Sequence, residues 1–392
     1  MSGFGFQTLA LLVVVGMAGP LLVAVPGLRI PLIIGELVAG IVIGRTGFDI
    51  VDTTDPTFTL LADIGFALVM FVVGTHVPVR DATLRSGISR AVVRAVLVGA
   101  VAAVLGAILA AAFGTGHAAL YAVLMASSSA AVALPVIDSL KLEGPQVLSA
   151  KAQIAIADAA SIILLPLVID PSRAPRAALG ALAVTGCAAV LFLVLRHFER
   201  SGARKKVREY SKRHELALEL RLSLIMLFTL SALATSTHVS VMLAGFALGL
   251  VVSGIGEPKR LARQLLGVSE GFFAPLFFVW LGASLQVREL GERPEFIGLG
   301  VGLGVGAVLA HCAGRILGQP LPLGALAAAQ LGVPVAAATL GTQSNLLGPG
   351  EPSALILGAL VTIAVTSVAG ALFKRRQPVE ASDDAAPEAP AR

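Results

Sequence analysis

The stretch IAIADAASIILLPLVI, from Ile154 to Ile169, carries a single carboxylate, Asp158, inside an apolar run long enough to cross a bilayer. A charge at that depth costs on the order of 3 kcal/mol or more, so such a residue is retained for a function. A carboxyl group there holds either a proton or a cation, and each excludes the other. That competition is sufficient to exchange a cation for a proton. The plainer reading is an aspartate neutralised by a nearby Lys or Arg. On its own helix the cationic neighbour is Lys151, two turns earlier at the start of the span, where it reads first as an interfacial anchor.

Further oxygen and nitrogen donors lie in two other apolar runs. ASSSAAVALPVI carries Ser127, Ser128 and Ser129 ahead of Pro135, and AAAQLGVPVAAATLG carries Gln330 ahead of Pro334. Proline removes a backbone hydrogen bond and frees a carbonyl, so Ser128, Ser129 and Gln330 are candidate ligands around Asp158 for a monovalent cation. The competing role of small residues in such runs is close helix packing. His311, Arg315 and Glu36 are accessory candidates. His311 is either a second titrating group or a hydrogen-bonded packing residue. Arg315 can snorkel to the interface, and Glu36 lines an access path or sits at the interface.

The elements that position these groups must be membrane helices. The chain has 392 residues, 56% of them hydrophobic and 14% charged, against about a quarter charged in soluble domains. Apolar blocks recur throughout, and the backbone must satisfy itself in lipid, so the fold class is an all-α polytopic membrane protein with about thirteen spans. Span two runs near 30–45, span three near 57–77, span five near 118–137, span six near 150–169, span ten near 268–286 and span eleven near 296–317, all approximate limits. The segments RDATLRSGISR, RHFERSGARKKVREYSKRHE, EPKRLARQ and KRR fall on one side of such a layout. The positive-inside rule makes that side the cytoplasm, with the N-terminus outside and the C-terminus inside. The net charge of +5 follows from this topology and does not indicate nucleic-acid binding. Cys187 and Cys312 show no metal or disulfide pattern.

The two halves share an order of motifs. GELVAGIVIG pairs with GFALGLVVSG, GFALVMFVVG with GFFAPLFFVWLG, and the proline-containing small-residue spans with each other. An offset of seven spans inverts the second copy, which predicts inverted-topology repeats whose paired discontinuous helices cross and build the ion site. The transmembrane domain is expected over roughly 1–373, with repeats near 1–170 and 217–373, a linker helix and basic loop near 177–216, and a disordered tail over 374–392.

These motifs, IPLIIGELVAGIVIG, LADIGFALVMFVVG, SSSAAVALPVI, QIAIADAASIILL and GFFAPLFFVWLGASL, resemble the monovalent cation:proton antiporter family. The likeness is to its CPA2 branch, which groups NapA-like sodium/proton antiporters with the membrane subunit of Kef-type potassium systems. It covers nearly all of 1–373. It implies transport of sodium or potassium against protons with no cofactor, Asp158 as the ion and proton carrier, a homodimer, and an elevator-like movement of a core domain. Family members often carry Asn-Asp or Gln-Asp where this chain has Ala157-Asp158. Electrogenic members carry a lysine where it has His311 and Arg315. One-for-one exchange is therefore the simpler expectation. Two other transport readings stand beside this one. A Kef-like potassium efflux subunit would be gated by a separate regulatory protein. An organic-anion carrier would need a cationic pocket that the spans do not supply. An intramembrane aspartyl protease would need a second apposed aspartate, so an enzyme is not expected.

Overall fold

The computed structural model describes residues 4–24, 32–76, 82–169, 172, 174–202, 209–211, 213–214, 216–237, 239–256, 265–285, 287–343 and 346–376. Among them every regular element is a helix. The first half comprises α1 Phe6–Gly16, α2 Ala18–Val23, α3 Leu32–Ile43, α4 Pro56–His76, α5 Ala82–Phe113, α6 Ala118–Ala126, α7 Ala130–Ser139 and α8 Pro145–Ile169. Between the halves runs α9, Ala174–Arg200. The second half comprises α10 Leu218–Ser236, α11 Val241–Ile255, α12 Ala274–Ser284, α13 Glu295–Cys312, α14 Leu321–Ala327, α15 Gly332–Gln343 and α16 Glu351–Arg376, with a short helix, Val287–Glu292, between α12 and α13. A single π-helical turn, Ser269–Phe273, leads into α12.

Eleven helical segments among the described residues are long and apolar enough to cross a membrane, against the thirteen expected. The other two expected spans are the apolar helices α3 and α11, with 12 and 15 residues. At 1.5 Å per residue, helices of that length fall short of the roughly 30 Å hydrocarbon core. The protein is a multi-pass membrane protein. α16 continues to Arg376, and residues 377–392 of the expected tail lie outside the described residues, as do residues 203–208 of the basic loop.

Local chemistry sets where the helices begin and end. Pro56 opens α4 at a position where a missing N–H costs nothing. Asp55 ahead of it accepts from Thr57 N at 2.8 Å and Phe58 N at 3.2 Å, as an N-cap carboxylate does. Ser240 caps α11 by accepting from Met242 N at 3.2 Å, and Gly256, at φ 90°, ends it.

Two interlocks of glycine carry the pseudo-symmetry. α3 lies along α12, and α4 lies along α11. A Cβ on Gly40 would stand 2.2 Å from Val279 O and 3.0 Å from Gly282 Cα, and one on Gly249 would stand 2.3 Å from Phe71 O and 2.7 Å from Gly74 Cα. Gly40 rests on Gly282 and on the carbonyl three residues before it, and Gly249 rests on Gly74 and on the carbonyl three residues before it. The same backbone-to-backbone contact is thus made twice, by elements exchanged between halves, as a two-fold pseudo-axis requires.

A second group, α5–α8 with α13–α16, packs mainly on itself: α5 on α6, α8 and α13, and α16 on α13, α14 and α15. Arg94 of α5 is buried within it, donating to Ser149 Oγ of α8 at 3.0 Å and to Leu317 O at 3.2 Å. Replacing Arg94 with alanine removes two charge-assisted bonds and leaves their buried acceptors short of donors. A loss of about 2–4 kcal/mol is expected, read as a lower thermal unfolding temperature in detergent.

Candidate functional site

Both discontinuous helices are present, but the prolines do not make the breaks. The first break is Ser127–Ser129, with extended backbone at Ser127 (φ −70°, ψ 150°) and Ser129 (φ −119°, ψ 108°), between α6 and α7. Pro135 lies inside α7. The second break covers residues 328–331, between α14 and α15, and Pro334 sits in the first turn of α15. Serine hydroxyls compete for backbone partners and so favour turns over helix interiors. Ser127 does this here, its Oγ donating to Leu124 O at 2.7 Å.

The two breaks are bonded to each other. Ser128 Oγ donates to Ala327 O at 2.6 Å, and Ser129 N donates to Ala329 O at 2.6 Å. In return, Gln330 Nε2 donates a short bond to Leu124 O. Each half-helix end therefore finds its partners in the other repeat, which resolves the orphan groups that an interrupted helix leaves in an apolar surrounding. α16 supports the second break: Gln330 N donates to Thr362 Oγ1 at 3.1 Å, and Thr366 Oγ1 donates to Leu326 O at 3.4 Å.

Asp158 meets this crossing from α8. It is 4% exposed, and its Oδ2 accepts from Ala130 N, the first residue of α7, at 3.0 Å. The carboxylate thus faces the N-terminus of a half-helix, where aligned peptide dipoles favour negative charge. Ser161, one turn on, donates to Ala157 O at 2.8 Å and Asp158 O at 2.9 Å, pinning the α8 backbone beside it.

His311 does not contact Asp158. Its Nε2 lies 3.2 Å from Ser128 Oγ and its Nδ1 lies 3.0 Å from Ala307 O, with the side chain fully buried. A carbonyl can only accept, so Nδ1 carries a hydrogen. Ser128 has one hydroxyl hydrogen, which serves either Ala327 O or the imidazole. His311 therefore bears on the site through Ser128. The structure brings Asp158, Ser128, Ser129, Gln330 and His311 to one crossing. Arg315 is exposed on the 3-10 turn Ala313–Leu317, and Glu36 is buried against α2; neither joins it.

Several contributors escaped the sequence reading. Thr362 and Thr366 are spaced i, i+4 in an apolar helix, a pattern that marks one face. Gln153 of α8 accepts from Gln319 Nε2 at 3.0 Å, both buried. Glu351 Oε1 accepts from Tyr121 OH at 2.6 Å and lies 2.6 Å from His117 Nδ1, joining the starts of α6 and α16. Only the break itself could have suggested Ala130 N.

A cavity of about 590 Å³ lies between the two helix groups, lined by Asp63 and Phe66 of α4, Pro166 of α8, Arg176 of α9, Trp280 of α12 and Thr339 of α15, among others. Pro166 is two turns along α8 from Asp158, so the cavity approaches the carboxylate along that helix.

Removing the Gln330 amide unties the second break from Leu124 O. Gln330→Ala is expected to raise the half-saturating concentration of a monovalent cation bound at the crossing by about 3- to 10-fold, the worth of one buried hydrogen bond, with a smaller change in maximal rate. Initial rates in proteoliposomes at varied cation concentration check this.

The profile of the family described as "Sodium/hydrogen exchanger, transmembrane" matches residues 10–375. The chain is 26% identical over 367 residues to the Na(+)/H(+) antiporter NhaS5 of Synechocystis sp., covering 88% of this chain and 51% of NhaS5. It is 26% identical over 363 residues to the glutathione-regulated potassium-efflux system protein KefC of Salmonella typhi, covering 88% of this chain and 57% of KefC. The chain thus spans little more than half the length of these two curated relatives. The sodium proton antiporter MjNhaP1 from Methanocaldococcus jannaschii shares the fold, with a TM-score of 0.65 at 16% identity over 94% of this chain and 97% of that one. With the match running over almost every membrane helix described above, the chain belongs to the transmembrane sodium/hydrogen exchanger family, a family of transporters and not of enzymes.

Proposed function

We propose that the protein exchanges a monovalent cation, sodium or potassium, for protons, with Asp158 binding the two in turn. The observation that carries this reading is the buried Asp158 carboxylate at the first turn of α7, where two broken helices cross and bond to each other. A cation there would find the carboxylate, the hydroxyls of Ser128 and Ser129, and carbonyls of the non-helical backbone as oxygen ligands. Protonation of Asp158 removes the charge that holds the cation. Family membership and the likeness to a named Na(+)/H(+) antiporter support the same reading.

Alternating access fits a movement of the group α5–α8 and α13–α16 against the group α1–α4 and α10–α12, because the cavity lies on the seam between them. The positive-inside rule applied to the basic segments supports an N-terminus outside and a C-terminus in the cytoplasm; with that orientation the cavity opens on the outer side. A homodimer is expected, as the family resemblance implies. A single carboxylate at the crossing favours one-for-one exchange.

One observation favours a second reading. The similarity to KefC covers 88% of this chain, and on that reading the protein is the membrane part of a potassium efflux system gated by a separate regulatory subunit. Proteoliposomes with a trapped pH dye decide between the two. Sodium or potassium that dissipates a pH gradient supports exchange and names the ion. Cation flux with no proton movement supports the efflux reading and sinks the exchanger.

A further inference from the structure

Glu36 stands apart from the ion site and is fully buried, with neither Oε1 nor Oε2 hydrogen-bonded. It lies where α2 crosses α3 in backbone contact. A Cβ on Gly35 would be 2.7 Å from Gly19 Cα, and one on Gly19 would be 2.9 Å from Glu36 Cγ and 3.1 Å from its Oε1. The carboxyl is folded beneath Gly19, so the crossing closes over it.

The surroundings supply no counter-charge among the described residues. α1, α2 and α12, which pack around α3, contain no ionisable side chain. A cavity of about 220 Å³ adjoins the carboxyl, lined by Leu12, Met17, Leu32 and Phe272, with Glu270 of the π-helical turn as the other titratable group. Glu270 is exposed and carries the same sign of charge. An alkali cation would need several oxygen ligands, and these walls are apolar. A buried carboxylate without partners does not persist as an ion. The species that neutralises the carboxyl without rearranging these walls is a proton on one of its oxygens.

We propose that Glu36 is a second proton-binding carboxyl of this protein, separate from Asp158, and that its proton latches α1–α2 onto α3 at the Gly19–Gly35 crossing. When the proton leaves, the charge must be hydrated. The route for water is the cavity shared with Glu270, and α1–α2 lifts to admit it. The inference holds whether or not Asp158 carries a transported ion.

Dicyclohexylcarbodiimide tests this. The O–H of a protonated carboxyl adds across one C=N bond, and the adduct rearranges to a stable N-acylurea with no leaving group; an ionised carboxylate does not react in this way. The wild-type protein is labelled in liposomes without alkali cation across a pH series, and the peptides are read by mass spectrometry. The expected result is an adduct on Glu36 that disappears as pH rises. The peptide containing Asp158 serves as the control in the same digest. An adduct on Asp158 with none on Glu36 at any pH overturns the proposal.

Hydrogen–deuterium exchange reads the latch. At one alkaline pH, the amides of α1–α2 are expected to exchange several-fold faster in wild type than in Glu36→Gln, which cannot ionise, and equally fast at acid pH. Equal exchange at alkaline pH overturns the latch.

Discussion

Replacing Asp158 with asparagine is expected to reduce cation-coupled proton movement to the level of protein-free liposomes. The substitution keeps the shape of the side chain, and its carbonyl oxygen can still accept from Ala130 N, which now meets Asp158 Oδ2 at 3.0 Å. What disappears is the charge and the exchangeable proton. Folding is expected to survive, because a neutral amide is less costly to bury than a carboxylate. The variant should elute from size exclusion like the wild type while its dye response to sodium and to potassium is flat. A variant that still exchanged either ion would move the carrier role to another carboxylate, with Asp63 on the inter-group cavity as the next candidate.

The same competition sets a pH dependence of definite sign. On the proposed mechanism, protons and cations compete for Asp158, so lowering the pH is expected to raise the concentration of cation needed for half-maximal exchange. In the range where the carboxyl is mostly protonated, the rise is about tenfold per pH unit. Where it is mostly ionised, the half-saturating concentration is flat. In the reverse direction, high cation concentration shifts the acid limb of the rate profile to lower pH. A channel through the same crossing would show no such coupled shift.

The long apolar spans, the isolated Asp158 and the order of the repeated motifs could all be read from residue types and spacing, because lipid restricts the backbone to helices and makes each intramembrane charge conspicuous. The location of the breaks could not. Proline at 135 and 334 is a strong local signal, yet the interruptions fall at Ser127–Ser129 and residues 328–331. There the backbone is held by bonds between repeats, such as Ser129 N to Ala329 O. Those bonds join residues two hundred positions apart, and no local pattern encodes them. His311 illustrates the same limit. Its span and depth were apparent, but its partner, Ser128, depends on the crossing. Glu36 was visible as a charge in an apolar helix, whereas its position beneath Gly19 is a property of packing between α2 and α3.

The glycine interlock supplies the largest expected effect on folding. Gly282 of α12 rests on α3, where a Cβ would stand 2.1 Å from Leu37 O and 3.1 Å from Gly40 Cα. The nearest atom belongs to a helix backbone, which no side-chain rotamer change can move aside. Gly282→Ala must therefore push α3 and α12 apart where Leu37 and Gly40 lie against Val279 and Gly282. Overpacking of a core costs about 1–3 kcal/mol when side chains can adjust, and here the separation of two backbones should bring the cost to the upper end or beyond. Helix propensity acts the other way, favouring alanine over glycine by about 0.8–1.0 kcal/mol, so the net sign depends on the clash. Gly99→Ala in α5 isolates the propensity, since a Cβ there meets nothing within 4 Å. The expected result is a thermal unfolding temperature for Gly282→Ala several degrees below wild type, or loss of monodisperse protein, with Gly99→Ala at or slightly above wild type. Gly249→Ala, at the matching interlock on Phe71 O, should behave like Gly282→Ala. If Gly282→Ala were as stable as Gly99→Ala, the close approach of α3 and α12 would not be what holds the two repeats together.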